Sequence, residues 1–524
     1  MTSRNPVLLI GLDAFDPALA RRWAASGELP ALARLFEGSA RSPVLNPVGT
    51  YVGALWANFA TGLSADGHGF HCWDEIEIAS YRHRLVTPKL TGIPKFWDRI
   101  EQAGARVAAI DVPHMRIEGE PTGVRIFEWG CHDRHFGLQC WPPGLAEGLT
   151  PHPVLGVDPH AVRDFAADDI VHRAGEHRTA EETRRLVDGL VEGAAMKSRL
   201  LTELYADGGW DLFLAVYGES HAAGHQLWHL HDETHPGFDR ALRDAARGDP
   251  LLRIYREIDG GIGRLLDLAP AGATVLVLMS HGMGPHHDGA HLLDKVLARL
   301  DSHYSSRSPR LGNLLGRATD FGRTAADRLR LPRRLRAPLA ALGDCGAAAV
   351  GRARRRFFLA PNNFVYGGIR FNLRGREPRG LVEPAEIDGW CERLEQDLQE
   401  IVNEATGRPI IRRLIRADDH HRRTADDTLP DLFIDWERDA PIETVSSPKI
   451  GRIHMPYTGW RTGDHRDEGL LLASGPGLDA GEREPVAVED IGALVAARLG
   501  VGCDGSDGRF VPWLAAPELE REPA

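Results

Sequence analysis

The stretch LFLAVYGESHAAGHQLWH (residues 212–229) decides the fold. Leu212–Val216 is an unbroken apolar run, short enough for a strand buried on both faces. A glycine turn follows, and then histidines at 221, 225 and 229. Residues four apart lie on one face of a helix, so His221 and His225 can hold one cation together, and His229 continues that face. Neutral imidazole suits zinc, manganese or iron. A polar, histidine-rich helix without an ion is the other reading of the same pattern. A strand feeding a ligand-bearing helix points to the carboxyl edge of an open sheet, where α/β proteins collect their chemistry.

The arrangement recurs outward from this stretch. Val7–Ile10 runs into Gly-Leu-Asp13 and the helical Pro17–Phe36. Val107–Ile110 follows the helical Phe96–Ala103, and Ala180–Ala206 is a long helix before Leu212. Thr274–Met279 follows the helical Leu251–Leu268 and ends in Ser280-His281-Gly. Leu432–Asp435 and Leu470–Ala473 supply two further strands, the second before the helical Glu489–Leu499. Strands alternating with helices predict an α/β chain with a mostly parallel central sheet and helices on both faces.

Composition narrows the class. With 524 residues, 43% apolar and 26% charged, the chain has the material for a large globular core, which excludes wholesale disorder and fibrous repeats. A net charge of −12 excludes a general nucleic-acid binder. Cys72, Cys131, Cys140, Cys345, Cys391 and Cys503 form no CxxC pair, as expected in a reducing compartment. No apolar run is long enough to span a membrane, and the four-residue run Val7–Ile10 is too short for a secretory signal. A cytoplasmic location is the expectation. One segment departs from the rest: residues 301–356 carry thirteen Arg and no Lys against four Asp and no Glu. It reads as short amphipathic helices broken at Pro332 and Pro338. It is either a solvated helical insertion or a lid or docking surface for an anionic substrate, polymer or membrane face.

Three more segments carry chemistry. Ser280-His281-Gly-Met-Gly-Pro-His286-His287-Asp288 puts an imidazole at a strand end. Gly459-Trp-Arg-Thr-Gly-Asp464-His465-Arg466 is a polar loop before a strand, or simply a connection. Asn46-Pro-Val-Gly-Thr50 leads into an apolar helix that ends near Gly62. Thr50 therefore stands at a helix N-terminus, where free N–H groups and the dipole favour an anion. It is either an N-cap or a nucleophile.

Taken in order, LLIGLDAFD, GTYVGALWANFATGLSADGHG, GESHAAGHQLWH, LVLMSHGMG and GDHRDEGLLLASGPGL resemble the alkaline phosphatase superfamily. The likeness is strongest to its type I phosphodiesterase/nucleotide pyrophosphatase branch and to the bacterial predicted phosphohydrolase/phosphomutase group. The resemblance implies an alkaline phosphatase-like core over residues 1–295 and 361–524, with 296–360 an Arg-rich helical insertion. It implies a hydrolase of phosphate esters, first of all a phosphodiesterase, with two divalent metal ions, zinc by preference, and a phospho-threonine intermediate on Thr50. The tryptophan spacing of many relatives points to Val52, which has no hydroxyl, so Thr50 takes the role. Asp13, Thr50 and His281 then match one metal site, and His221, His225 and His465 the other. The family's aspartates are replaced here by His221 and Ser280. The His221/His225/His465 site keeps three ligands, whereas the Asp13/His281/Thr50 site is poorer and would recruit Asp288, Asp16 or Glu219. The partner implied is a small phosphorylated substrate. Alternatives are a phosphomonoesterase and a metal-depleted relative that binds phosphorylated ligands without turnover.

Overall fold

Apolar runs without alternation form strands that are covered on both faces, and four of them lie side by side here. The computed structural model describes residues 5–156, 178–305, 348–362, 365–423, 427–502, 507–509, 511 and 513. In chain order the elements that build the site are β1 (Val7–Leu12), β2 (Ala40–Leu45), α1 (Tyr51–Thr61), β3 (Val107–Ile110), β4 (Val124–Phe127) and α2 (Ala180–Ala206). They are followed by β5 (Leu212–Tyr217), α3 (Glu219–His231), α4 (Pro250–Leu268), β6 (Thr274–Met279), β7 (Gly282–Pro285), α5 (Ala290–Tyr304), β8 (Gly463–Arg466) and β9 (Gly469–Ser474). The central sheet runs β2-β9-β6-β1-β5-β3-β4, with Gln139–Trp141 beyond β4 and Gly481–Glu482 beside β2. From β6 to β4 all pairings are parallel. β9 runs antiparallel to both β6 and β2.

Register matters more than order for function. Leu12 lies opposite both Tyr217 and Met279, so three strands stop level with one another. The next residues, Asp13, Gly218 and Ser280, emerge at one edge. Side chains of β1 alternate between two cores. Leu8, Ile10 and Leu12 join the face covered by α2, α3 and α4. Val7 and Leu9 join the face covered by α1, Phe96–Gln102 and Asp490–Arg498.

A second core lies around the antiparallel sheet Phe357–Ala360, Gly367–Phe371, Leu432–Trp436 and Ile411–Arg416. The strand expected at Leu432–Asp435 thus exists but belongs outside the central sheet. Its partners on both sides, Gly367–Phe371 and Ile411–Arg416, run antiparallel to it, which a reading of apolar runs alone does not reveal. Pro17–Phe36 is two helices, Pro17–Ala25 and Pro30–Gly38, separated where Gly27 takes φ +82°. Of residues 296–360, the first nine lie in α5, whose Leu292, Leu293, Val296, Leu297 and Leu300 pack on the small sheet, and 357–360 form one of its strands. The Arg-rich stretch 306–347 lies outside the described residues. Among the described residues, Cys131, Cys140 and Cys391 are free thiols, and no helix is long and apolar enough to cross a membrane.

Two neighbouring glycines on α4 test the packing of the first core. A Cβ at exposed Gly260 would meet only the end of Arg264, 3.6 Å away. A Cβ at buried Gly261 would stand 2.2 Å from Ser198 Oγ and 2.4 Å from Tyr217 Oη, which bond each other. Gly260→Ala should raise stability by about 0.5–1 kcal/mol through helix propensity. Gly261→Ala should lower it by about 1–3 kcal/mol through overpacking. Chemical denaturation of both variants checks the opposite signs.

Candidate active site

The level strand ends bring distant residues together. Asp13 Oδ2 lies 2.7 Å from His221 Nδ1, and Asp13 Oδ1 accepts a 2.8 Å hydrogen bond from Trp56 Nε1 on α1. His221 and His225 share one face of α3, as their spacing requires, with their Nε2 atoms 3.1 Å apart. The ring of His465, from β8, has its centroid 4.8 Å from that of His221 and 4.5 Å from those of His225 and His281. Five residues expected at a metal centre, Asp13, His221, His225, His281 and His465, therefore form one buried cluster. The approach of β7 and β8 to α3 depends on absent side chains. A Cβ at Gly224 would stand 2.3 Å from Met283 Cε, and one at Gly463 would stand 2.3 Å from the Gly224 carbonyl oxygen. That close approach is why a poor helix former precedes His225.

The hydrogen bonds assign protons. The carbonyl of Gly463 only accepts, so His225 Nδ1, 2.9 Å away, carries the hydrogen. The Asp13 carboxylate likewise accepts from His221 Nδ1. In the neutral rings both Nε2 atoms are then bare and face each other. Two lone pairs at 3.1 Å repel unless a proton or cation lies between them. The spacing is close to the roughly 3.3 Å separating two nitrogens bound at about 2.0–2.1 Å to a tetrahedral ion. His465 Nε2 is also buried and without a hydrogen-bond partner. His281 differs: Nδ1 lies 2.9 Å from Ser280 Oγ and Nε2 lies 2.8 Å from His465 Nδ1, so both nitrogens are engaged.

Electrostatics follow burial and charge. Burial pushes the Asp13 carboxyl upward, but His221, with His281 and the Trp56 bond, brings it down to about 2. For His221 the balance runs the other way: burial lowers it, and Asp13 raises it above the ordinary imidazole value. Burial lowers His225 and His465 far below the ordinary imidazole value and takes His281 down to about 4. The site is the Asp13–His221 pair beside the neutral imidazoles of His225, His281 and His465, a donor set that fits a divalent cation once His221 gives up its extra proton.

Thr50 occupies the N-cap of α1, yet its side chain caps nothing. Its Oγ1 is buried and has no hydrogen-bond partner among the described residues. Three contacts tie its surroundings to the cluster. Asn46 Nδ2 donates to the Ser280 carbonyl at 3.0 Å, the Tyr51 ring meets the His281 ring edge-on at 5.8 Å, and Trp56 bonds Asp13.

The expected recruits serve elsewhere. Asp16 accepts from Leu19 N at 2.8 Å, capping Pro17–Ala25, and from Met283 N at 3.1 Å. Glu219 lies 3.2 Å from the buried Lys197 ammonium and 3.4 Å from His152. Asp288 groups with His286 and Asp464, and Asp464 in turn groups with His225 and His465. Ser280 Oγ accepts from Ala14 N at 3.2 Å. His229 faces His235, with ring centroids 6.1 Å apart, and His231 bonds Asp249, so neither joins the cluster. Sequence reasoning missed His132, whose ligand atom lies within 4.8 Å of those of His221 and His225. It also missed Asp133 and the grouping of Asp464 with His225 and His465. The visible signal was Cys131-His-Asp-Arg-His135, a run of ligand-type residues shortly after an apolar strand.

The profile of the family described as type I phosphodiesterase / nucleotide pyrophosphatase matches residues 7–440. No curated protein matches the chain. Among solved structures, murine ectonucleotide pyrophosphatase / phosphodiesterase 5 aligns with 98% of this chain and 100% of its own, at 12% identity and TM-score 0.48. The human protein of that name covers 96% of this chain and 97% of its own, at 12% identity and TM-score 0.45. An inactive variant of the murine protein in complex with AMP covers 97% and 98%, at 11% identity and TM-score 0.47.

Buried neutral imidazoles make stability depend on pH. Burial takes His68 down to about 4, His71 to about 3 and His281 to about 4. Unfolded, each returns to about 6.5 and binds a proton that the folded state refuses. Stability is full above pH 6.5 and is lost progressively as pH falls toward 4. Urea midpoints of the metal-free protein should therefore decrease between pH 7 and pH 5, whereas rings already charged in the folded state would leave them level.

Proposed function

Because the chain belongs to the type I phosphodiesterase / nucleotide pyrophosphatase family, and so to the phosphoric ester hydrolases, we propose that it is a metal-dependent phosphodiesterase with Thr50 as nucleophile. The observation that carries this reading is the Thr50 hydroxyl, buried and unbonded at the start of α1. A buried hydroxyl without a partner costs about 1–3 kcal/mol, so its retention points to a ligand or reacting group that meets it. His221, His225 and His465 would hold one divalent cation, for which their imidazoles favour zinc, and Asp13, Thr50 and His281 would serve a second. Bound there, the metal supplies positive charge that lowers the hydroxyl pKa of Thr50 and neutralises phosphate oxygens.

The chain's own residues supply the rest. Thr50 Oγ1 gives its proton to a solvent water, attacks phosphorus and forms a phospho-threonine, and the P–O bond to the departing alcohol breaks. That alkoxide leaves and takes up a proton from water. A water oxygen then bonds to phosphorus, the Thr50–phosphorus bond breaks, and the hydroxyl is restored. The α1 N-terminus presents backbone N–H groups and the positive end of its dipole to the phosphoryl oxygens. Asp13 fixes the His221 ring by its 2.7 Å contact, and Gly463 fixes His225. Trp56 in turn fixes Asp13, so one helix positions both the nucleophile and the carboxylate.

With bis-p-nitrophenyl phosphate as substrate, Thr50→Ala should lower kcat by about three to six orders of magnitude. Bound metal should remain at the wild-type level, and Thr50→Ser should retain measurable turnover. Undiminished turnover of Thr50→Ala at matched metal content would remove Thr50 from this role.

A further inference from the structure

Beyond the ligands carried by strand ends and α3, a loop reaches the same cluster. β4 ends at Phe127, and the chain turns through Glu128, Cys131 and His135 over the start of α3. Two buried carboxylates clamp this loop from within. Asp111 accepts from Trp129 N and Gly130 N, both at 2.8 Å. Glu128 accepts from His135 N, Phe136 N and Gly137 N, each at 2.7 Å. Lys197, fully buried on α2, ties the loop to α3. Its ammonium lies 3.0 Å from Asp111, 3.2 Å from Glu219 and 3.1 Å from the Val216 carbonyl. The packing leaves no slack, since a Cβ at Gly218 would stand 2.9 Å from the Gly130 carbonyl.

What this scaffold holds in place is His132. Its ring centroid lies 4.5 Å from that of His221 and 5.6 Å from that of His225. One nitrogen from each of the three rings lies within 4.8 Å of the others, and all three residues are buried. A cation that displaces the proton between the facing Nε2 atoms of His221 and His225 has His132 within reach as a third donor.

We propose that His132 is a direct ligand of the metal held by His221 and His225. The loop Cys131–His135 thus acts as a ligand-bearing arm, clamped by Asp111, Glu128 and Lys197. This inference rests on the metal-dependent reading of the cluster given above and adds a ligand to it.

The test uses the full chain, stripped of metal and titrated with cobalt(II), whose visible absorption reports its ligands, and with zinc by calorimetry. His132→Gly is compared with wild type, and circular dichroism and thermal melts establish that both fold. The variant should bind zinc at least about tenfold more weakly and show an altered cobalt spectrum. Millimolar imidazole should restore both. Unchanged affinity and spectrum in the variant would overturn His132 as a ligand while leaving the metal site of His221 and His225 standing. Weakened binding that imidazole does not rescue would make His132 a structural support and overturn the proposal equally. Wild-type protein that binds neither cobalt nor zinc would overturn the metal-dependent reading itself.

Discussion

The contact between Asp13 and His221, 2.7 Å long and buried, joins the end of β1 to the first turn of α3. Everything at the site depends on it. An ionised carboxylate there keeps the His221 proton on Nδ1 and turns Nε2 toward His225. The contact exists only because β1 and β5 stop level, with Leu12 opposite Tyr217. A slip of one residue would send Asp13 to the opposite face of the sheet and remove the carboxylate from the cluster. The register itself is held by apolar side chains that alternate into two separate cores, so the geometry of the site is inherited from packing on both faces of one strand.

The cluster is expensive for the fold. Neutral imidazoles, a carboxylate and an unbonded hydroxyl lie buried together, while a folded domain is stable by only about 5–15 kcal/mol in all. Two features of the surroundings offset this. The cores on either side of the sheet are continuous and apolar, and the polar groups next to the cluster are paired with one another. Lys197, Asp111, Glu219 and His152 satisfy each other beneath the loop and helix that carry the ligands. Asp16 and Ser280 are used up in backbone bonds. At the cluster itself, Thr50 Oγ1 and His465 Nε2 are buried without a hydrogen-bond partner, and the Nε2 atoms of His221 and His225 meet only each other.

Much was legible in the chain itself. Helix Ala180–Ala206 carries clear apolar periodicity and strand Thr274–Met279 is an unbroken apolar run, so their bounds follow from local pattern. Asp13 and His281 follow strand ends and His221 and His225 share one face of the helix after a strand, and that is why ligand-type residues there were conspicuous. Thr50 at a helix start followed from the Pro-Gly loop before an apolar helix. Other features left no such trace. Leu432–Trp436 looks like any buried strand, and only its antiparallel partners place it in the smaller sheet. His132 lies in a loop without periodicity, and the ligand-type run Cys131–His135 does not by itself say whether its imidazole turns to α3 or to solvent.

Local sequence determined which elements form and which side chains stand at their ends, because hydrophobic period and turn chemistry act over a few residues. Only the tertiary structure decided which of those side chains meet. Asp13 and His221 are separated by 208 residues in sequence, and His281 and His465 by 184. Convergence over such distances is set by strand register, by glycines that let α3 approach β8, and by buried ion pairs that clamp a loop. Each of these is a relation between segments, and no single segment encodes it.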